Sequence, residues 1–418
     1  MMQCEGNFGY LSCPMQRSKI TIIFTVLVDI LGFGIVIPIL PFYVTSFGAS
    51  PLTVTMLFSA FAFFAFLSSP FLGALSDKMG RRPVLLASIT STAIGWFVFA
   101  SASSIPLLFL GRIIDGAAAG NFTVAQSAIV DISKDEKDRS ANLGIIGATF
   151  GIGFMVGPFL GGFLSTVSHS FPFWVAGGLA TLNTVMAYFF LPETHTHRDP
   201  RAPLTINPLA PLARAASNRE LRPFFTAWIL FGVSFMASQS VFALFAEAAF
   251  GFTSFQTGLL FSGIGVFTAL NQAVLLKPVW LRYFREADLE LLMTLVLAVA
   301  FALIAVRILP LFYVAVVLMA TGQSILRVVV TSRVAGIAPA HMKGEVLGIM
   351  TSLMAASMVA APLAAGLLFE MEISLPFLVG TILMFYSVHL EYRLRTRERP
   401  AAIVRGGKIE GGEGGGKG

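Results

Sequence analysis

The stretch GALSDKMGRRP, from Gly73 to Pro83, decides the fold class of this chain, because it is a short charged loop between two long apolar runs. Each run has the roughly 20 residues that an α-helix needs to cross about 30 Å of hydrocarbon. Gly80 permits a tight turn between antiparallel helices, while Arg81 and Arg82 favour the cytoplasmic side of a membrane. The stretch therefore predicts a pair of antiparallel membrane-spanning helices.

The composition of the whole chain extends this prediction. The chain has 418 residues, of which 56% are hydrophobic and 12% are charged, whereas soluble domains carry roughly 25% charged residues. We predict an all-α membrane protein with twelve transmembrane helices in two pseudo-symmetric six-helix bundles. The predicted spans are residues 20–46, 52–75, 83–102, 105–130, 142–165, 171–191, 223–249, 254–280, 288–306, 309–333, 345–369 and 373–393.

An internal repeat supports the division into two bundles. Leu143 to Ile145 matches Leu347 to Ile349, and Pro158 matches Pro362 at the same separation. Helices 5 and 6 therefore recur as helices 11 and 12, which indicates parallel repeats about an axis along the membrane normal. The predicted domains are a cytoplasmic head (1–19), an N-terminal six-helix bundle (20–191), a cytoplasmic linker loop (192–222), a C-terminal six-helix bundle (223–393) and a flexible cytoplasmic tail (394–418).

Basic residues fall mainly on one side of the predicted topology. The head, the tail and the loops that follow the even-numbered helices hold most of the 28 Lys and Arg residues. The positive-inside rule then places both termini and the linker loop in the cytoplasm. We expect the plasma membrane as the location, which would be the inner membrane in a bacterium.

The loop between helices 2 and 3 resembles the loop signature of the major facilitator transporters, with Gly73, Asp77, Gly80, Arg81 and Arg82 at the matching positions. In that family the acidic group of the loop forms a charge relay with the loop arginine and with an acidic residue that ends helix 4, here Asp131. The resemblance therefore implies a relay of Asp77, Arg81 and Asp131 that opens as the two halves rock. The alternative is that these charges only set the topology.

Helix 4 contains an arginine, Arg112, within its apolar run. A charged side chain inside a span costs about 2.5–3.5 kcal/mol on insertion scales, so Arg112 should have a partner. Asp115 lies three residues further along on the same helix face, and a local pair is one interpretation. The other follows from the resemblance, in which the helix 4 arginine communicates with an acidic group on helix 1.

Helix 1 supplies that acidic group as Asp29, its only ionisable residue. Burial favours the protonated form of a carboxyl group, and a neighbouring arginine favours the ionised form. Movement of Arg112 toward or away from Asp29 would therefore make this carboxyl group release or take a proton. We predict Asp29, Arg112 and Asp115 as the proton-coupling residues. The alternative is an acid that reaches the cytoplasmic surface from near the end of the helix.

Helix 5 carries a glycine at every fourth position, at Gly153, Gly157 and Gly161, and Pro158 can bend it. Such a ridge allows two helices to pack closely. The pattern resembles the signature associated with antiporters among the major facilitators, and its repeat partner in the second half lacks glycine. We expect these four residues, together with Gly73 and Gly80 of the loop, to serve the packing that conformational change requires.

The first half as a whole resembles the tetracycline/H+ antiporters and their multidrug efflux relatives. The resemblance continues through LPETH at 191–195 and NPL at 207–209, and it is thinner in the second half. One position departs from it, because tetracycline exporters carry a second acid in helix 3 that aligns with Gly95. This departure argues against tetracycline itself as the substrate.

Polar side chains within the predicted spans are candidates for a substrate cavity. They are Gln126, Gln239, Asn271, Gln323 and Arg327. Ordinary hydrogen bonding between helices is the alternative for these residues. An arginine that faces the cavity would favour a substrate with negative charge.

These observations favour a proton-coupled antiporter that exports a small, largely apolar organic compound by alternating access. The alternatives are a symporter or uniporter for an anionic metabolite, and a non-conducting membrane sensor or scaffold. We expect a small-molecule substrate, protons and the lipid bilayer as partners, no nucleic acid, and a monomer.

Enzymatic activity, a cofactor and a metal site are not expected, because the sequence has no catalytic-triad, nucleotide-loop or metal-ligand constellation. His195 and His197 lie in the linker with no cysteine nearby, and a mobile loop accounts for them better than a metal site. The two cysteines, Cys4 and Cys13, precede the first apolar run and indicate no disulfide framework.

Overall fold

The structure is a computed structural model that describes residues 14–195, 207, 209–217, 221–339 and 342–406. Among these residues, twelve helices are long and apolar enough to cross a membrane, which confirms the predicted number. In chain order they are α1 Ser18–Thr45, α2 Pro51–Met79, α3 Arg81–Ala100, α4 Ile105–Asp131, α5 Glu136–Leu164, α6 Phe171–Phe190, α7 Arg222–Phe250, α8 Ser254–Tyr283, α9 Glu286–Ala305, α10 Leu309–Ile337, α11 Lys343–Met371 and α12 Leu375–Arg393.

Two of these helices extend beyond their spans, and one short helix lies outside the spans. The helix of α1 begins at Pro14, and that of α12 continues to Gly406. A short helix, Ala210–Ser217, lies between α6 and α7. The cysteines and His197 considered above lie outside the described residues.

The turn between α2 and α3 consists of Gly80 alone. This residue has φ 107° and ψ 156°, a backbone conformation open essentially to glycine only, and its N–H donates to the carbonyl of Ser76. Gly80 ends α2 and directly precedes α3, which begins at Arg81. The tight turn predicted for Gly80 is therefore present.

Helix α4 is interrupted, although the sequence predicts a continuous span over 105–130. The helix runs over Ile105–Ala117, breaks at residues 118–120 and resumes over Asn121–Asp131. The break follows a close approach to α2, since a Cβ atom on Gly116 would lie 2.7 Å from the carbonyl oxygen of Phe61. The break places Asn121 at the first position of the second segment.

Helix α8 changes its winding part-way. It is α-helical over Ser254–Leu270, becomes a π-helix over Asn271–Trp280, and ends with one further turn at Leu281–Tyr283. Pro278 lies inside the π-helical part, and since proline has no backbone N–H it cannot donate a hydrogen bond there.

Helix α5 begins at Glu136, six residues before the predicted start at 142. The Asp135 side chain accepts a hydrogen bond of 2.8 Å from the N–H of Asp138, which caps the helix. Glu136 and Asp138 also place negative charge at the positive end of the helix dipole. The hydropathy of this polar first turn does not reveal that it is helical.

Contacts divide the chain into two compact units. The first comprises Met1–Ala210, Met236–Leu270 and Ala355–Pro376, and the second comprises Pro211–Phe235, Asn271–Met354 and Phe377–Gly418. Helices α7, α8 and α11 each contribute residues to both units. The predicted domain boundaries at 192 and 222 rest on the sequence repeat and remain a prediction.

The first unit has an aliphatic core at one end and an aromatic cluster at the other. The aliphatic core contains Val26, Leu85, Ile89, Val124 and Ile146, each at most 2% exposed. In the aromatic cluster the rings of Phe99 and Phe173 contact each other, and each also contacts the rings of Tyr43 and Trp96. The Tyr43 hydroxyl lies 3.2 Å from the carbonyl oxygens of Phe99 and Ala100, which satisfies this polar group inside the unit.

Candidate functional site

Asp29 on α1 is held by an asparagine from the second segment of α4. The Asn121 side-chain amide donates a hydrogen bond of 3.1 Å to Oδ1 of Asp29 and a second one of 3.1 Å to the hydroxyl of Thr92 on α3. A primary amide has two N–H donors, so both bonds can form at once. Asn121 therefore connects three helices at the position of the predicted proton-coupling acid.

Arg112 pairs with Asp115, its neighbour one turn along α4. The Nη2 atom of Arg112 lies 3.0 Å from Oδ2 of Asp115, and both side chains are buried. The guanidinium carbon lies 4.4 Å from the ring centroid of Trp96 and 5.2 Å from that of Phe99. Of the two interpretations of Arg112, the structure contains the local pair, while Asp29 bonds to Asn121.

The two acidic groups nevertheless belong to one chain of polar contacts. Thr92 hydrogen-bonds to Asp115 as well as to Asn121. The chain thus runs from Arg112 through Asp115, Thr92 and Asn121 to Asp29. It contains two carboxyl groups and one guanidinium, so it carries one excess negative charge unless a proton is bound.

Gly95 on α3, where the sequence departs from the pattern of the tetracycline exporters, is packed closely against α4. A Cβ atom on Gly95 would lie 3.0 Å from the Cβ of Asp115 and 3.0 Å from the carbonyl oxygen of Gly111. In this chain the acidic group at that place comes from α4, as Asp115, instead of from α3.

The three predicted relay residues lie together at the α2–α3 turn. The Arg81 side chain contacts Oδ1 of Asp77 at 2.5 Å and Oδ2 of Asp131 at 3.0 Å. It also donates a hydrogen bond of 2.6 Å to the hydroxyl of Ser76. With only 8% of its side chain exposed, Arg81 fastens the end of α4 to the end of α2.

Two residues after α6 complete this cluster and were not identified from the sequence. Oε1 of Glu193 accepts hydrogen bonds from the backbone N–H groups of Arg81 at 2.8 Å and of His195 at 3.0 Å. Nδ1 of His195 lies 3.5 Å from Oδ2 of Asp131. In the sequence, both residues belong to the stretch LPETH at 191–195. The family resemblance includes this stretch but does not indicate which residues Glu193 and His195 contact.

The glycine ridge of α5 packs directly on α1. A Cβ atom on Gly157 would lie 2.9 Å from the Cα of Gly34, and one on Gly161 would lie 2.9 Å from the carbonyl oxygen of Ile35. At Gly153 the added atom would lie 2.5 Å from Cγ2 of Ile30. The two backbones are therefore in contact, as a ridge of small residues allows.

The other predicted packing residues differ in how tightly they are enclosed. The carbonyl oxygen of Pro158 would lie 2.6 Å from a Cβ atom on Gly258, so α8 also packs closely on α5. A Cβ on Gly73 would meet only Cγ2 of Thr123, at an ordinary 3.6 Å. Close packing therefore does not require glycine at Gly73.

The substrate-cavity candidates fall in both units. Gln126 and Gln239 belong to the first unit and are partly exposed. In the second unit Asn271 donates a hydrogen bond of 3.4 Å to the hydroxyl of Thr321, so it takes part in bonding between helices. Gln323 is buried, whereas Arg327 is exposed and has no ion-pair partner in the described part of the chain.

Three charged residues of the second unit were missed from the sequence. They are Glu290 on α9 and Glu391 on α12, which are buried, and Arg333 on α10, which is partly exposed and forms an ion pair with Glu290. Across the described residues, no group of three or more His, Cys, Asp and Glu side chains could hold a metal ion.

The sequence profile of the Major Facilitator Superfamily matches residues 22–286. The chain belongs to the Major Facilitator Superfamily. With its twelve candidate spans, this major facilitator is an integral, multi-pass membrane protein. The family and the similar proteins are transporters and not enzymes.

Drug-resistance transporters are among the relatives of this major facilitator. The chain is 31% identical over 272 residues to the class C tetracycline resistance protein of Escherichia coli, covering 64% of this chain and 68% of that protein. It is 26% identical over 378 residues to the quinolone resistance protein NorA of Staphylococcus aureus (strain MRSA252), covering 87% and 92%. The resemblance to tetracycline and multidrug transporters is confirmed.

A solved structure has the same fold over almost its whole length. The crystal structure of the human organic anion transporter MFSD10 (TETRAN) superimposes with a TM-score of 0.67 at 25% identity. The match covers 91% of this chain and all of that one.

Proposed function

We propose that this major facilitator is a proton-coupled antiporter that exports a small, largely apolar organic compound by alternating access. The observation that carries the proposal is the hydrogen bond from Asn121 to Asp29, because it ties the only acid of α1 to the buried Arg112–Asp115 pair through Thr92. We also propose that it acts as a monomer in the plasma membrane with both termini in the cytoplasm.

The proton is proposed to bind at Asp29. Because Arg112 already compensates Asp115, the charge of Asp29 is left over, and a proton removes it. A protonated Asp29 is a weaker acceptor for the Asn121 amide than a carboxylate, since hydrogen bonds to ionised groups are the stronger ones. Proton binding therefore loosens the tie between α1 and α4.

We propose that the charge relay around Arg81 and the glycine ridge of α5 serve the conformational change. The contacts of Arg81 with Asp77 and Asp131 hold the ends of α2, α3 and α4 together, so these contacts must open when the ends separate. The glycine ridge of α5 gives α1 a smooth surface along which it can shift. Together these features support movement of the first six helices coupled to one proton site.

Uptake of a fluorescent dye into everted membrane vesicles with an acidic interior tests the proposal, because such vesicles expose the cytoplasmic face and export carries the dye into the lumen. The variant Asp29→Asn should lose gradient-driven efflux and still bind the dye. The matched control is Asp135→Asn, since Asp135 caps α5 from the surface and asparagine caps a helix equally well. Full activity of Asp29→Asn would refute the proton site, and absence of any flux across a broad panel would favour the sensor or scaffold.

Transport of an organic anion is a second candidate, favoured by Arg327. Arg327 is an exposed residue of α10, without an ion-pair partner in the described chain. The similar human protein is described as an organic anion transporter. Arg327→Gln should then impair movement of anionic dyes more than of cationic ones, whereas Arg139→Gln, which alters an exposed arginine of α5, should affect neither.

A further inference from the structure

The second unit contains a buried charge cluster that the proposed mechanism does not use. Glu290 on α9 is 1% exposed and forms an ion pair with Arg333 on α10. The Arg333 guanidinium also lies 5.4 Å from the ring centroid of Phe224 on α7. Arg333 therefore compensates the buried charge of Glu290.

Glu391 on α12 adds a second acid to this cluster. Glu391 is 8% exposed. Both Glu290 and Arg333 lie close enough to interact with it electrostatically. With two carboxyl groups and one guanidinium, the cluster has one negative charge too many if both acids are ionised. An uncompensated charge is costly to bury, and such a group normally becomes neutral instead.

The hydrogen bonds of Glu391 also favour a protonated carboxyl group. Its Oε1 lies 3.1 Å from the Thr294 hydroxyl and 3.0 Å from the Ser387 hydroxyl, while its buried Oε2 has no hydrogen-bond partner among the described residues. The Thr294 hydroxyl also lies 2.9 Å from the carbonyl oxygen of Glu290 and has a single proton to donate. If that proton goes to the carbonyl, Glu391 must supply the proton of the bond between Oε1 and Thr294.

The cavity beside Glu391 is small and mostly apolar, so it can serve a proton but not an organic ligand. Glu391 lines a small cavity of about 10 Å³, room for about one water molecule. Its walls include Trp228 and Phe231 of α7 and Leu326 of α10. The Trp228 indole N–H already donates a hydrogen bond of 2.9 Å to the carbonyl of Met350 and does not serve Glu391. An organic ligand would not fit in this volume.

We propose that Glu391 is a second proton-binding site, which holds its proton against Thr294 while Arg333 compensates Glu290. The charged groups that act on it are Glu290 from α9 and Arg333 from α10. The site lies wholly within the second unit. It is separate from Asp29, so it does not depend on the proposed antiport.

Infrared spectroscopy of the purified protein tests this proposal directly. A protonated carboxyl group has a C=O stretching band that a carboxylate lacks and that shifts on transfer to heavy water. In the Asp29→Asn background, the Glu391→Gln variant should lose a band equivalent to one carboxyl group per molecule at neutral pH. The matched control is Glu345→Gln, because Glu345 is a surface residue paired with Arg214 and should contribute no such band.

A second variant keeps the proposal testable if Glu391→Gln does not fold. Thr294→Val is close to isosteric and removes the hydroxyl partner, so the Glu391 band should shift in frequency without loss of intensity. An unchanged band in both variants would overturn the proposal. So would an Asp29→Asn protein with no protonated-carboxyl band at neutral pH.

Discussion

Asn121 donates a 3.1 Å hydrogen bond to Asp29 across 92 residues of sequence, from the point where α4 resumes after its break to the middle of α1. This asparagine stands between the acid of α1 and the arginine of α4. The proposed proton switch therefore works through an intermediary that can be altered without touching any charge.

Replacing the intermediary should uncouple the transporter. In Asn121→Ala the Asp29 carboxylate loses a hydrogen bond worth about 1.5–3 kcal/mol, so we expect gradient-driven efflux to fall roughly ten- to hundred-fold. Export is measured as dye uptake into everted vesicles. Asn183→Ala is the control, because it removes a 3.0 Å hydrogen bond between α6 and Thr25 on α1 without contact to Asp29. An equal loss of transport in Asn183→Ala would mean that the effect comes from disturbed packing of α1 and not from the bond to Asp29.

The glycine ridge predicts a sharp contrast between two positions of α5. Gly157→Ala would place a Cβ atom 2.9 Å from the Cα of Gly34, and overpacking of this kind costs about 1–3 kcal/mol. Gly151→Ala meets nothing within 4 Å in the described structure, so it should be neutral or slightly stabilising. Thermal unfolding in detergent separates the two, and equal melting temperatures would contradict the ridge.

The α2–α3 turn should tolerate no side chain. Gly80→Ala forces alanine into a backbone conformation that costs about 1–3 kcal/mol for residues other than glycine. We expect a lower melting temperature and a weaker hold on Arg81, visible as reduced efflux. Gly144→Ala on α5, where the added atom meets no described neighbour within 4 Å, should behave like the unaltered protein.

Arg81 should not be replaceable by lysine. Its guanidinium contacts Asp77, Asp131 and Ser76 at once, whereas a lysine presents one compact ammonium group. Arg81→Lys should therefore lower the efflux rate roughly tenfold while dye binding persists. Arg82→Lys is the comparison, since Arg82 donates to the carbonyl of Tyr188 and does not belong to the relay. An unchanged efflux rate in Arg81→Lys would contradict the relay and favour the alternative that Arg81 only sets the membrane topology.

The membrane-spanning helices could be predicted from the sequence because length and hydropathy decide whether a segment crosses a bilayer. Their polar ends could not, as the early start of α5 at Glu136 illustrates. The break in α4 was also hidden, because alanine and glycine at 117–120 are compatible with a continuous helix in an apolar run.

The sequence revealed those site residues that a local motif contains, such as Asp77 and Arg81. Asn121 and Glu193 were missed because their partners come from distant segments, and no spacing rule reports such contacts. Glu391 was missed for another reason. It lies near the end of its span, where charged side chains are expected to reach water, and only the packing of α7, α9 and α10 around it makes it buried.

The backbone contact between Gly34 and Gly157 limits how this lineage can change. A larger residue at either position collides with the backbone of the other helix, since the added atoms would lie within about 3.1 Å of it. A second substitution at the facing position would add to the collision and could not relieve it. Substitutions that adapt the protein to a new export substrate should therefore arise at other positions. Codons 34 and 157 should vary only synonymously.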